Sequence, residues 1–374
     1  MPAKPCTPSW KLCAVHNDTY FTIPPYSLNK ANKQALLSET LSNLTGFHYR
    51  ECPSYRRILE AMQFDAAKVG TYYDLPFVPV RLFKDYELVS VDRAEIIKTM
   101  TSSGTSGQKV SKIFLDKATA SEQTRALSRI VTSYVGPKRL PMLILDSPAV
   151  LKNPAMLSAR GAGILGFSLF SYDRIYAFDE NMNLDCEVIS AFLQKHQGEE
   201  ILVFGFTFII WRHFYQELRK IGFRPDLSNG TLLHGGGWKK LVDQAVSPAD
   251  FKRSLRDVCG VERVYDYYGM VEQTGSIYME CEVGHLHTSI FSDVIVRRAK
   301  DFSVAPIGET GIIQLLSILP RSYPGHSLLT EDEGAVLGED DCLCGRLGKY
   351  FQIAGRLRNA EVRGCSNTYA AHGR

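Results

Sequence analysis

Five short stretches carry residue types suited to holding a nucleotide. Thr101–Gly107 reads TSSGTSG, with hydroxyl side chains at every position except its two glycines. Glycines let backbone N–H groups approach a phosphate, and Ser102, Ser103, Thr105 and Ser106 add donors around Gly104 and Gly107. The spacing is not that of a GxxxxGK[ST] loop, and the plain alternative is a flexible Ser/Gly loop. Tyr267–Glu272 reads YYGMVE. The Tyr268 ring, followed by Gly269, can stack on a nucleobase, and the Glu272 carboxylate can hold Mg²⁺; the alternative is a turn with an exposed acid. His234–Trp238 reads HGGGW, where Gly235 and Gly236 offer bare backbone to a flat ligand, or else make a tight turn. In Leu329–Gly334 (LTEDEG), a carboxylate could accept two ribose hydroxyls, or belong to an acidic surface turn. Arg356, after Gly355, could contact phosphate or ribose, or be a solvated base.

A second constellation suits a metal. Cys281-x₅-His287 and Cys342-x-Cys344 could close a tetrahedral zinc site, with His285 competing for the place of His287. Reduced, partly buried thiols are the alternative. Cys365 lies beside Arg363 in RGC, and a neighbouring cation lowers a thiol's pKa and favours nucleophilic attack. An inert cysteine is the plain reading there.

The elements that must position these residues alternate. Helical patterns cover Lys30 to Phe47 and Tyr55 to Met62, and Asp74 to Phe83 is extended and interrupted by proline. Lys112 to Leu115 reads as a strand, followed by a helix to Tyr134 whose start has the Thr119/Glu122 capping-box spacing. Strands are expected at Pro141–Asp146, Ile201–Phe206, Leu232–Leu233 and Val261–Tyr265. Helices between them run from Asp185 to Lys195, Phe208 to Lys220, and Ser247–Pro248 to Val258. This alternation predicts an α/β fold with a largely parallel sheet. After about Cys281 the pattern turns to strands and turns.

The chain has 374 residues, 45% hydrophobic and 22% charged, with a net charge of +3. That balance, interleaved along the chain, excludes the basic stripe of a nucleic-acid binder. No apolar run approaches the ~20 residues that span a bilayer. The first ten residues, MPAKPCTPSW, lack a signal peptide's apolar core. The nine scattered cysteines are not a dense disulfide framework. A cytoplasmic protein without membrane attachment is therefore expected.

SSGTSG, a GGG turn, YGxxE, TxD and GR occur in the order of the nucleotide-site motifs of the adenylate-forming (ANL) superfamily. The chain resembles that superfamily, and within it the acyl-protein synthetase (LuxE) branch and the related phenylacetate–CoA ligases. The branch-level likeness runs through PPYSLNKANKQALL, HYRECPSYRRIL, DLPFVPVRLFK, SSGTSGQKVSKIFLDKATA, LLHGGGWKK and GRLGKYFQIAGRLRNAEVRGC. The resemblance implies an ANL-type α/β region over 1–280, a β-rich subdomain over 281–354 and a hinge-like tail over 355–374, without the usual C-terminal lid domain and its lysine. It implies that an acid and ATP react, with Mg²⁺, to give acyl-AMP, followed by transfer to a thiol.

Carried over residue by residue, Ser102, Ser103, Gly104, Thr105, Ser106 and Gly107 would hold the triphosphate. Gln108-Lys109-Val110 departs from the family's Pro-Lys ending. Tyr268 with Gly269 would pack on adenine, Glu272 bind Mg²⁺, and Asp332 with Arg356 hold the ribose. Gly235 and Gly236 would face adenine and the acyl group, and Phe206, Thr207 and Trp211 line the acyl pocket. Zinc on Cys281, His287, Cys342 and Cys344 has counterparts among phenylacetate–CoA ligases. Cys365 matches the acyl-accepting cysteine of acyl-protein synthetases; an acceptor protein or coenzyme A is the other destination. The rival functions are aromatic-acid adenylation or CoA ligation in a biosynthetic pathway such as antibiotic or other secondary metabolism, and a catalytically weak nucleotide-binding partner protein. A homodimer is an open expectation.

Overall fold

The computed structural model describes residues 18–102, 109–152, 159–238 and 243–357. Helix α1 (Lys30–Glu51) is capped by Asn29, whose side chain accepts from the Asn32 N–H at 3.1 Å. It buries Leu37, Leu41 and Leu44 along one face. It runs past the expected end at Phe47 and stops before Pro53, which opens α2 (Pro53–Ala61). The proline-interrupted stretch gives the short strand β1 (Val78–Pro79) and α3 (Leu82–Asp85). β2 (Ile96–Thr101) and β3 (Lys112–Asp116) form an antiparallel hairpin around the hydroxyl-rich loop.

Helix α4 (Lys117–Val135) starts two residues before the expected Thr119. Asp116 is its cap, accepting from the Thr119 N–H at 2.9 Å, because β3 extends to that residue. The Thr119 hydroxyl is buried and accepts from the Ser322 N–H instead. β4 (Leu140–Leu145), α5 (Ala149–Lys152), α6 (Ala159–Phe167) and β5 (Ser171–Tyr176) follow. α7 (Cys186–Lys195) is capped by Asp185 as expected, and β6 (Ile201–Phe206) has its expected bounds. The next helical run is broken into α8 (Thr207–Ile209), a π-helical turn (Ile210–Tyr215) and α9 (Gln216–Ile221). β7 (Gly230–Gly235) leads to α10 (Pro248–Cys259), where the Ser247 hydroxyl accepts from the Asp250 N–H. The remaining strands are β8 (Arg263–Tyr268), β9 (Tyr278–Glu280), β10 (Leu286–His287), β11 (Ser292–Arg297), β12 (Gly311–Ser317), β13 (Ser327–Glu339) and β14 (Lys349–Arg356).

One sheet joins nearly all of these, in the order β11-β12-β13-β14-β10-β9-β8-β7-β6-β4-β5, with β1 beside β13. β5, β4, β6, β7 and β8 are parallel; the change to antiparallel pairing comes at β8–β9. β4, β6 and β7 are buried at every position, as strands covered on both faces are. The expected division between 280 and 281 falls in the turn of the β9–β10 hairpin, and the sheet runs through it. β5 lies on one side of β4 and β6 on the other, so the order of addition reverses there. In open α/β sheets, ligands bind outside the carboxyl ends of strands at such a switch. Phe206, Gly235 and Tyr268 are the last residues of β6, β7 and β8.

Candidate functional site

Three of the expected nucleotide residues, distant in sequence, meet across β8, β13 and β14. The Tyr268 hydroxyl donates to Asp332 Oδ2 at 2.6 Å. Arg356 Nε stands 3.4 Å from Asp332 Oδ1, and its Nη2 2.8 Å from Glu331 Oε2. The β13–β14 register makes this inevitable, since Asp332 and Arg356 are directly opposite partners. Burial, with the Asp332 carboxylate beside it, holds the Tyr268 hydroxyl protonated far above the ordinary tyrosine range.

Glu272 sits in a 3₁₀ turn (Val271–Gln273) just after β8 and is 0% exposed. The turn is pinned by Gln273, whose amide donates to the carbonyls of Leu315 at 3.1 Å and Gly325 at 2.8 Å. The next residue, Thr274, places its hydroxyl 3.8 Å from Met100 Sδ on β2. The hydroxyl-rich hairpin therefore stands beside the Glu272 turn. Its neck is closed by Ser102, whose N–H donates to the Ser111 carbonyl and whose hydroxyl accepts from the Ser111 N–H at 2.9 Å. Ser103, Gly104, Thr105, Ser106 and Gly107 lie outside the described residues, as does Cys365.

The two glycines of the HGGG turn differ. A side chain at Gly235 would lie 2.6 Å from Tyr267 Cε1 and Cζ, so that glycine makes room for the Tyr267 ring. Gly236, with φ 76°, is exposed, and Phe206 Cδ1 is the nearest atom to the side chain it lacks. Gly269 is likewise exposed, at the carboxyl end of β8. Phe206 belongs with Phe204, Phe167 and Tyr267, against α6. Trp211 is placed elsewhere. It packs with Tyr215, Trp238 and Phe251 at α10. Thr207 lies between these groups, its hydroxyl 3.0 Å from His234 Nδ1.

Sequence reasoning gave no role to Asp266 or His234, which face each other on β8 and β7. His234 Nδ1 is 3.6 Å from Asp266 Oδ1, and burial drives the imidazole pKa down to about 3, so it is neutral. His234 Nε2 and Asp266 Oδ1 are buried with no hydrogen-bond partner among the described residues. Burial, reinforced by the Glu280 carboxylate, pushes the Asp266 carboxyl up. An acid flanked by aromatics two residues before YG was the signal available in the sequence.

The four metal-ligand candidates come together at the other end of β14. Cys281 and His287 come from the β9–β10 hairpin, Cys342 and Cys344 from the turn joining β13 to β14. Their ligand atoms all lie within 4.8 Å of one another. Cys281 Sγ is 3.9 Å from Cys342 Sγ, and Cys344 Sγ is 3.4 Å from His287 Nε2. A tetrahedron with Zn–S of ~2.3 Å has edges of about 3.8 Å, so the donor set has the dimensions of a closed zinc site. Burial lowers the His287 pKa to about 4, which leaves the ring neutral, the form that ligates. His285 Nδ1 is 3.6 Å from Cys342 Sγ, and its ring, like that of His287, stacks on Tyr350; the compact group of four holds His287.

Solved structures of a CoA ligase share this fold. An open conformation of 2-hydroxyisobutyryl-CoA ligase in complex with 2-HIB-AMP and CoA has a TM-score of 0.71 at 16% identity, covering 93% of this chain and 80% of that one. The same ligase in its postadenylation state with 2-HIB-AMP has a TM-score of 0.69 at 17% identity, over 93% and 72%. Fold and motif order together define an adenylate-forming ligase, an enzyme that activates a carboxylic acid with ATP as its acyl adenylate. Two curated relatives are long-chain-fatty-acid–luciferin-component ligases. That of Vibrio harveyi is 24% identical over 366 residues, 94% of this chain and 91% of its own. That of Aliivibrio fischeri is 22% identical over 369 residues, 95% and 93%. The chain belongs to the acyl-protein synthetase family, LuxE, which it matches over residues 11–372. Among the described residues, no helix is long and apolar enough to cross a membrane.

Proposed function

We propose that the chain activates a long-chain fatty acid and passes the acyl group to a thiol, with its nucleotide site built on Tyr268, Asp332 and Arg356. The observation that carries this is the meeting of those three side chains beside the Glu272 turn, at the carboxyl ends of the parallel strands. Asp332 accepts the ribose hydroxyls, and Arg356 holds its carboxylate in place. The base lies between Tyr268 and the exposed backbone of Gly236 and Gly269. Asp266 accepts from its exocyclic amino group.

The acid's carboxylate oxygen attacks the α-phosphorus. The bond from that phosphorus to the bridging oxygen breaks, and pyrophosphate leaves with the electron pair. The protein's task is to align the attack and screen charge. In this reading the N–H groups and hydroxyls of residues 102–107, of which 103–107 lie outside the described residues, serve the leaving phosphates. Mg²⁺ is commonly held by one or two carboxylates plus substrate phosphates, and buried Glu272 suits that role; the ion supplies charge neutralisation on the phosphates. Domain limits at 1–280, 281–354 and 355–374 remain our reading of where these tasks divide.

Zinc on Cys281, His287, Cys342 and Cys344 would be structural, since four protein donors leave no open position. Transfer of the acyl group to Cys365, releasing AMP, is the self-acylation reading; coenzyme A is the alternative acceptor. Acid-dependent ATP–pyrophosphate exchange tests activation: no exchange with any carboxylic acid would leave a nucleotide-binding partner protein. Intact mass after incubation with ATP, Mg²⁺ and a fatty acid tests the acceptor. A gain of one acyl group abolished by Cys365→Ser supports self-acylation, and acyl-AMP with unmodified protein refutes it.

A further inference from the structure

We propose that Cys344 is a site of oxidation by hydroperoxides, and that it then closes a disulfide with Cys281 that takes the place of the metal between the two hairpin turns. This rests on the zinc assignment proposed above. The four donors of that cluster are not equally placed. Cys281 and His287 are 0% exposed and Cys342 7%, whereas Cys344 is half-buried. Cys344 also lines a cavity of about 410 Å³, whose walls include none of the nucleotide residues. Pro24, Ser27, Ser133, Glu282 and Gly345 stand around that cavity and are exposed, so it opens to solvent. A small reagent therefore meets the cluster first at the Cys344 sulfur. A cysteine that ligates a metal is deprotonated, and the thiolate is the nucleophilic form.

The cavity wall also carries a fixed cation. Arg346 Nη1 donates to Glu282 Oε2 at 2.5 Å and Nη2 to Oε1 at 3.1 Å, and the guanidinium lies 4.3 Å from the centre of the Tyr134 ring. Such a group steadies negative charge developing on a departing oxygen. In the first step the Cys344 sulfur attacks the terminal oxygen of the hydroperoxide. The S–O bond forms and the O–O bond breaks. The alkoxide, or hydroxide from hydrogen peroxide itself, leaves with the electron pair and takes a proton from water. The sulfur, oxidised by two electrons, is then a sulfenic acid. In the second step a neighbouring thiolate attacks that sulfur, the S–S bond forms, and hydroxide leaves to become water. The ligand atoms all lie within 4.8 Å of one another, so both other cysteines are in reach. A bridge inside Cys342-Leu343-Cys344 would close a ring across a single residue, where disulfide geometry is met only with strain. Cys281 comes from a separate turn and is free of that constraint. His287 and Cys342 are then two donors, too few for a four-coordinate site, and zinc is released. The disulfide joins the same two turns, so β14 keeps its anchor at the end away from Arg356.

The test treats the full chain, loaded with zinc, with hydrogen peroxide while a chromogenic chelator reports released metal. Zinc should be released as the mass falls by about 2 Da, and peptide mapping should join Cys281 to Cys344. A sulfenic-acid trap such as dimedone, added with the peroxide, should label Cys344 ahead of Cys281 and Cys342. Cys344→His keeps four donors and removes the reachable thiolate, so it should hold zinc and release it at least ~10-fold more slowly. The oxidised metal-free protein should melt several degrees above the reduced metal-free protein, because the bridge restricts the unfolded chain. Zinc retained through a treatment that fully oxidises a free cysteine peptide overturns the inference. So does first labelling at Cys281 or Cys342, a bridge within Cys342-Leu343-Cys344, or release from folded Cys344→His at the wild-type rate. The trapping and mapping use the wild type and decide the matter even where Cys344→His fails to fold. Protein that takes up no zinc sinks the zinc assignment instead, and this inference with it.

Discussion

Replacing Asp332 by asparagine isolates the ribose contact. In the native site Oδ2 accepts from Tyr268 at 2.6 Å and Oδ1 faces Arg356 Nε at 3.4 Å. The remaining lone pairs are those that would receive the two ribose hydroxyls. The substituted side chain would keep one acceptor oxygen, but its amide NH₂ would face either Arg356 or the sugar. A hydrogen bond to a charged group is worth about 1.5–3 kcal/mol, which corresponds to a rise in the KM for ATP of roughly 10- to 100-fold. The contact exists before and during phosphoryl attack, so kcat should change little, the pattern of lost uniform binding. The assay is pyrophosphate exchange at saturating acid with ATP varied. Tyr268→Phe is the control: it removes the hydroxyl and leaves the carboxylate, so its effect on the KM for ATP should be the smaller one. A KM for ATP within twofold of wild type in a folded Asp332→Asn protein would refute the ribose assignment.

Chelation or Cys342→Ser should reduce zinc from about one ion per chain to near zero and lower the thermal midpoint, because the metal ties two hairpin turns together; elemental analysis beside a thermal melt reads both, and an unchanged midpoint in metal-free protein would contradict a structural role. Gly275 has φ 88°, and a side chain there would lie 2.5 Å from the Gln123 carbonyl oxygen, so Gly275→Ala should cost about 3 kcal/mol or more in urea unfolding. Gly136→Ala, at φ 81° and ψ 172° with open space around it, should cost only the backbone term, about 1–3 kcal/mol. Burial lowers the pKa of His48 and His234 to about 3, and that of His326 well below its ordinary value. The unfolded chain therefore takes up protons first. The stability is complete above the unfolded value near 6.5 and is lost progressively as pH falls toward 3, by about 2 kcal/mol at pH 5 for each of His48 and His234. Urea midpoints at pH 7 and pH 5 would coincide only if these rings were solvated in the native state.

Local chemistry made part of this structure readable in advance. Asp185 and Ser247 announce their helices because a short polar side chain before an amphipathic run has one good use. Thr119 was misleading for the same reason: Asp116, three residues earlier, is an equally good cap, and only the length of β3 decides between them. The nucleotide motifs were legible as an ordered set, but which of their atoms touch depends on register. His234 and Asp266 meet because β7 and β8 pair at those residues, and Gly235 is covered because Tyr267 follows one position later. Trp211 and Phe206 are five positions apart, yet Phe206 ends β6 against α6 while Trp211, inside the π-helical turn, packs at α10. No periodicity announces such a turn.

Long-range charge was the least legible feature, and it bears on the site through β14. Lys349, the first residue of that strand, donates to Asp293 Oδ2 at 2.8 Å, the Val294 carbonyl at 2.9 Å and the Tyr72 hydroxyl at 3.2 Å. Lys33 of α1 approaches Asp293 Oδ1 at 3.6 Å and bonds the Thr288 hydroxyl at 2.6 Å. Two lysines around one buried aspartate are not an efficient source of stability, because desolvation offsets most of the attraction; burial lowers the Lys33 pKa to about 8 despite Asp293. Their value lies in register. A one-residue slip of a strand exchanges its faces, and a slipped β14 would carry Arg356 away from Asp332. The lysine cluster and the cysteine turn fix the strand where it begins, so that its last residue arrives opposite the acid that holds the sugar.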